Sequence, residues 1–341
     1  MTLARRSHRR RIQHPTFSCI SCISWLNLRD GFAADCGFSS VGLDECLNEM
    51  IQYEHPKTLV GNRKLITWQT IRIEMSIRDW VREKEMLGGR FFTFEELRAA
   101  VPELSCQVVK NSLNRLRKSA RIYSPYRGFY VILPPEYVRR GGVPPTFYMD
   151  DFMKSMHRSY YFSLLSAATF WGAAHQRPQV DFVTTDGRRL FAGARERRDV
   201  EWIVRPLIPE HLIMTKRGEA GDVRYSSAEL TAVELVQYEH RIGGLSVAAT
   251  VLSELLEACD FRHASENAFA VCKDAAIQRL GYVVEKVLRN ELQGEIIYHE
   301  WVRTCKAPHF VPLSLRSSAE AKCRDERWKI SVNTEIEVDD I

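Results

Sequence analysis

The stretch Phe91–Leu133, FFTFEELRAAVPELSCQVVKNSLNRLRKSARIYSPYRGFYVIL, decides how the first half of this chain is read. Phe91-Phe92 has the character of a short extended piece. Thr93-Phe94-Glu95-Glu96 has the form of a capping box, with the Thr93 hydroxyl accepting an orphan amide while Glu96 reaches back. The helix it opens runs to about Ala100 with Phe94, Leu97 and Val101 inward, and Pro102 marks a turn over Val101–Leu104. Ser105 then suits the N-cap of a second helix, Cys106–Ser119, whose buried stripe is Val109, Leu113 and Leu116. Arg121-Ile122-Tyr123 and Phe129–Leu133 read as two strands around a turn at Ser124-Pro125-Tyr126-Arg127-Gly128, and Pro134-Pro135 close the unit. Upstream, Ile77, Trp80, Val81 and Leu87 fall on one face of a helix that Gly88-Gly89 end. Helix, helix, turn, helix and hairpin in this order predict a winged helix-turn-helix.

In such a motif the second helix of the turn enters the major groove with its N-terminal half against base edges. Ser105, Gln107, Lys110, Asn111, Asn114, Arg115 and Lys118 are therefore the expected DNA-binding residues on that helix. Gln and Asn pair bidentately with adenine, and Arg and Lys with guanine or phosphate. Arg127, at the hairpin tip, is where a wing meets the backbone or minor groove. Polar residues opposite an apolar stripe are also what a solvated helix face requires, and some winged helices contact only protein. The local charge favours DNA. Residues 75–140 carry 13 basic and 7 acidic groups, a net +6, whereas residues 141–341 carry 25 and 29, a net −4. A basic unit beside an acidic one points to a polyanion for the first and a different partner for the second.

The 341 residues, 45% apolar and 27% charged, suffice for two or three domains with cores of their own. The division expected is an extension over 1–74, the DNA-binding domain over 75–140, and a larger domain over 141–341. No apolar run approaches the roughly 20 residues of a membrane span. The extension opens on Arg5, Arg6, Arg9, Arg10 and Arg11, a solvated tail or a transit-like cluster. A third reading fits better, in which the biological start is Met75, where the amphipathic pattern begins. Nine cysteines without regular spacing argue against a disulfide framework. Cys19 and Cys22 have the spacing of a zinc half-site, but Cys36 and Cys46 form no second close pair, so reduced thiols and no metal are expected.

The larger domain reads as α/β or α+β, with no cofactor and no catalytic site. Tyr148–Gly172 is expected as one long helix. Gln179–Thr185 and Val200–Pro206 are strand-like, and Leu212–Lys216 with Val223–Tyr225 suggest a hairpin. Helices are expected over Ala228–Tyr238, Leu245–Ala258 and Ala275–Leu288, and Trp328–Glu337 alternates like a terminal strand. The histidines lack metal-ligand spacing, and neither a Gly-x-Ser-x-Gly nor a Walker-type loop is present. Asp186, Asp199 and Glu201 are scattered acids with no Glu-x-Lys nearby, so the expectation is that the chain is not an enzyme.

The order of further motifs resembles the AbiEi-type antitoxins of type IV toxin–antitoxin (abortive infection) systems. It is carried by FTFEEL at 92–97, RGFY at 127–130, PPTF at 144–147, YYFSLLSAA at 160–168, GAAHQ at 172–176 and QVDFVTT at 179–185. SAELTAVELV at 227–236, Gly243-Gly244, RLGY at 279–282 and WKISVN at 328–333 complete it. The resemblance implies a cytoplasmic bacterial protein of phage defence. Its winged helix would bind inverted repeats in its own promoter and repress the operon, and its C-terminal domain would neutralise a nucleotidyltransferase-like toxin without a stable complex. The alternative is a stand-alone transcriptional regulator whose C-terminal domain senses a ligand or dimerises. One departure is the Arg-rich segment 186–199, a loop or a second nucleic-acid contact.

Overall fold

Alternation of apolar side chains along three short strands determines which cores the first sheet joins. The computed structural model describes residues 76–173, 178–187, 199–305 and 307–338. The expected N-terminal extension, the start at Met75, the Cys19–Cys22 pair and nearly all of the Arg-rich segment lie outside them. Helix α1 (Ile77–Met86) starts on Ser76, whose hydroxyl accepts from the Asp79 amide. Strand β1 (Phe91–Thr93) leads into α2 (Phe94–Ala100) through the expected capping box, with both reciprocal Thr93–Glu96 bonds present. Helix α3 (Cys106–Lys118) is capped by Ser105 and followed by the hairpin β2 (Ile122–Tyr126) and β3 (Phe129–Ile132). The sheet order is β1-β3-β2, antiparallel throughout.

Period-two alternation sends Phe92, Ile122 and Ile132 to one face of this sheet, where Ile77, Val81, Leu97, Val109, Leu113 and Leu116 bury them. Phe129 and Val131 point the other way, together with Tyr126, into a second core shared with Phe147, Tyr148, Phe152 and Trp202. Neither face of the small sheet is left to water. Two sequence expectations shift here. Leu87 does not join the α1 stripe but is 81% exposed, because it is the C-cap. Beyond it Gly88, at φ +82, closes the helix. The hairpin turn is also shorter than expected. Ser124, Pro125 and Tyr126 belong to β2, with a register irregularity between Tyr123 and Tyr126 that accommodates the proline.

The expected helix Tyr148–Gly172 is instead three elements: α4 (Pro145–Ser155), β4 (Tyr160–Phe162) and α5 (Leu164–Trp171). The break is a Schellman motif. His157 takes φ +53, its amide bonds to the Lys154 carbonyl, and the Arg158 amide bonds to the Met153 carbonyl, both at 3.0 Å. The stop was hidden because the left-handed residue is a histidine rather than the usual glycine. Strand β4 then becomes the middle of a five-stranded sheet with β5 (Asp181–Thr185), β6 (Val200–Val204), β7 (Ile213–Arg217) and β8 (Asp222–Ser226). Its order is β6-β5-β4-β8-β7, mixing parallel and antiparallel pairs, and the overall class is mixed α/β.

Alternation again assigns the two faces. Tyr160, Phe162, Val183 and Trp202 face α4 and the small sheet, while Tyr161, Phe182 and Ile203 face the C-terminal helices. Those helices are α6 (Ala228–Gln237), α7 (Glu239–Ile242), α8 (Leu245–Leu255), α9 (Asp274–Tyr282) and α10 (Glu291–Thr304). Helix α9 continues into a π-turn over Val283–Val287. The sequence reading missed α10. The terminal strand is shorter than expected: only Ile330–Val332 is extended, flanked by Val311–Pro312 and Cys323–Asp325 in a three-stranded sheet.

Candidate nucleic-acid interface

Helix α3 exists because its apolar residues recur at three- and four-residue spacing, which leaves every other position free for polar chemistry. Val109, Leu113 and Leu116 are buried, whereas Gln107, Lys110, Asn111, Asn114, Arg115 and Lys118 are all exposed. The first turn carries no acidic side chain, and Arg115, Arg117 and Lys118 stand in the last. Gln107 Nε2 donates to Asn111 Oδ1 at 3.0 Å, and Arg117 Nη2 donates to Asn114 Oδ1 at 3.4 Å. Among the described residues, Lys110, Arg115 and Lys118 enter no ion pair; the acids nearby are spent elsewhere, Glu96 on Lys84 and Glu85 on Arg121. The Ser105 hydroxyl accepts the Val108 amide at 3.3 Å and so acts as a cap first.

Arg127 is exposed in a two-residue turn with Gly128, which sits at φ +85. The Gly128 carbonyl accepts the Phe94 amide at 2.7 Å, so the tip is tied to the start of α2. No hydrogen bond or ion pair among the described residues joins Arg127 to α3. The tip is also braced from behind: the Tyr126 ring stacks on Phe152 at 4.2 Å and meets Trp202 edge-on at 5.9 Å. One residue escaped the sequence reading. The Arg98 guanidinium donates to the carbonyls of Val101 and Leu104 and so holds the turn between α2 and α3. An Arg four residues before a proline-containing turn was the available signal, but Arg98 lies on a face that charge counting treats as solvated.

The region behind the interface contains a buried polar joint. Tyr161 Oη donates to Glu234 Oε1 at 2.6 Å, and Arg205 Nη1 donates to the same oxygen at 3.1 Å. Arg205 also reaches the Val271 carbonyl. Among the described residues Glu234 Oε2 has no hydrogen-bond partner, and burial pushes its carboxyl up to about 7 despite the two donors on the other oxygen. The unfolded chain therefore loses this proton at lower pH than the native state does. The contribution to stability is fully present below about pH 4.5 and is lost as pH rises through about 7. Melting temperatures measured from pH 5 to 8 should fall more steeply for the wild type than for Glu234→Gln. Parallel profiles would show that the joint does not titrate.

Two of the three scattered acids are paired with arginines, Asp186 with Arg158 at 3.5 Å and Glu201 with Arg241. Among the described residues no group of three or more His, Cys, Asp or Glu side chains is placed to hold a metal ion, and no helix is long and apolar enough to cross a membrane.

An exposed polar helix and a five-stranded mixed sheet packed against helices define a mixed α/β protein. Residues 161–286 match the family model of the AbiEi antitoxin C-terminal domain, so the chain carries an AbiEi-type antitoxin domain. That is an antitoxin family and not an enzyme family. The crystal structure of the RV2827C protein from Mycobacterium tuberculosis is similar in fold, with a TM-score of 0.53. It is 13% identical, over 74% of this chain and 89% of that one. No curated protein matches the chain.

Proposed function

We propose that this chain is the antitoxin of a type IV toxin–antitoxin system, in which residues 75–140 form a winged helix-turn-helix that binds promoter DNA at inverted repeats and represses its own operon. Residues 141–341 neutralise a cognate nucleotidyltransferase-like toxin in the bacterial cytoplasm, without catalysis, as part of abortive phage defence. The observation that carries this reading is the pairing of an AbiEi antitoxin domain with an upstream unit whose third helix turns all its Gln, Asn, Lys and Arg side chains outward. The strand order β1-β3-β2, with β1 between the first two helices, supports the winged form, since a hairpin wing and a short leading strand belong to that motif. The basic balance of 75–140 supports a polyanion partner.

A second reading, a stand-alone regulator with a ligand-sensing C-terminal domain, is favoured by one feature. A cavity of about 210 Å³ lies between α4, α5 and the β7–β8 turn, lined in part by Phe147, Phe170, Ser166 and Asp181. Co-expression with the neighbouring gene separates the two. The antitoxin reading expects the full chain to restore growth against that gene's product, and expects a Lys110→Ala, Arg115→Ala double variant to restore growth while no longer repressing the promoter. Failure of the wild-type chain to rescue would leave the regulator.

A further inference from the structure

The Gln107–Asn111 hydrogen bond gives the exposed face of α3 a feature that charge and exposure alone do not. Both residues lie in the first two turns of the helix, one turn apart, and both are exposed. The bond uses the Asn111 carbonyl oxygen and one Gln107 amide hydrogen. Among the described residues, what remains uncommitted is the Gln107 Oε1 acceptor and the Asn111 Nδ2 donors, on side chains one turn apart. If the two amides exchange roles, one donor and one acceptor still remain. The pair is therefore a composite edge that offers one donor and one acceptor whichever amide bonds the other, braced by an i,i+4 contact that favours the helix as well.

Among bases in the major groove, adenine presents the complementary edge, an N7 acceptor beside an N6 donor. Guanine presents two acceptors, N7 and O6, and would set O6 against the Gln107 oxygen; thymine offers O4 and a methyl group, and cytosine a lone donor. We propose that Gln107 and Asn111 act together as the specificity-determining unit of α3 and select adenine, Asn111 donating to N7 and Gln107 accepting from N6. This inference rests on the reading that α3 enters the major groove. It assigns sequence choice to the amide pair, and leaves Lys110, Arg115 and Lys118 as sequence-independent phosphate contacts.

The test uses the full chain and a random-sequence duplex pool. In the enriched duplexes each adenine is replaced in turn by 7-deazaadenine, which lacks the N7 acceptor, and by purine, which lacks the N6 amino group. One adenine per recognition helix should respond to both replacements with a loss of about tenfold in affinity. Gln107→Ala and Asn111→Ala should each abolish that response, the double variant should add nothing, and the salt slope should stay at the wild-type value. Both side chains are exposed, so circular dichroism and the melting temperature should be unchanged. Retention of the adenine response by either variant overturns the inference, as does binding without any responsive adenine. Absence of duplex binding by the wild type overturns the DNA-binding reading and this inference with it.

Discussion

Alanine at Trp328 should destabilise the chain by about 3–5 kcal/mol, as loss of a fully buried tryptophan does elsewhere. Its indole is completely buried, stacks on Trp301 at 5.8 Å and meets Tyr298 edge-on at 5.4 Å. The ring N–H donates to Glu285 Oε2 at 2.9 Å, and the main-chain carbonyl accepts from Gln278 Nε2 at 3.0 Å. The ring lies on Gly281 so closely that a Cβ there would stand 2.0 Å from it. Gly281→Ala therefore needs the indole or helix α9 to shift, which costs about 1–3 kcal/mol at ordinary overpacked sites and more where the obstacle is a rigid ring. Urea unfolding should show both variants with lower midpoints and an unchanged m-value. A Gly281→Ala midpoint equal to wild type would mean that the contact is not made. Trp328 lies beyond the matched antitoxin segment, which ends at residue 286, yet it shares that segment's buried core.

Replacing Lys110 and Arg115 together by alanine should weaken promoter binding at least tenfold and flatten its salt dependence. Each lysine or arginine that neutralises a phosphate contributes about 0.9 to the slope of log K against log salt, so the double variant should lose about 2 from that slope. Both residues are exposed on α3 and neither is held by an acid among the described residues, so no folded-state ion pair is sacrificed. Stability should consequently stay within about 0.5 kcal/mol of wild type, as for ordinary surface changes. Gel shifts over a range of salt concentrations check the slope. Equal slopes for wild type and variant would remove α3 from the DNA surface, and the partner of the basic unit would have to be sought on another face.

Much of the upstream unit was legible from its residues. The Thr93–Glu96 capping box, the Ser105 cap and the stripe Val109-Leu113-Leu116 are local signals, since each involves groups within a few positions of one another. The long helix expected over 148–172 failed for the same reason. Its true stop at His157 carries no glycine or proline, and Tyr160–Phe162 is a strand only because β5 and β8 lie on either side of it. The missed helix α10 has an apolar face of mixed size, with Gly294, Ile297, Glu300 and Trp301 buried, which periodicity does not single out. The expected site residues were found on exposed positions because the helix phase follows from the apolar stripe. Arg98 was not found, because its two acceptors are main-chain carbonyls in a turn.

The residues of 76–133 and elementary rules of capping and alternation were enough to specify an outward polar helix after a helical turn, and a hairpin behind it. They did not specify that both faces of the hairpin are buried, nor what covers the second one. Only the tertiary structure decided that. Tyr126 and Phe129 bury themselves against Phe152, and Tyr126 also meets Trp202, so the unit carrying α3 shares a core with the sheet of the antitoxin domain. The reason is physical: caps and stripes are written in neighbouring residues, whereas the choice of partner for an apolar face depends on which distant surface matches its shape.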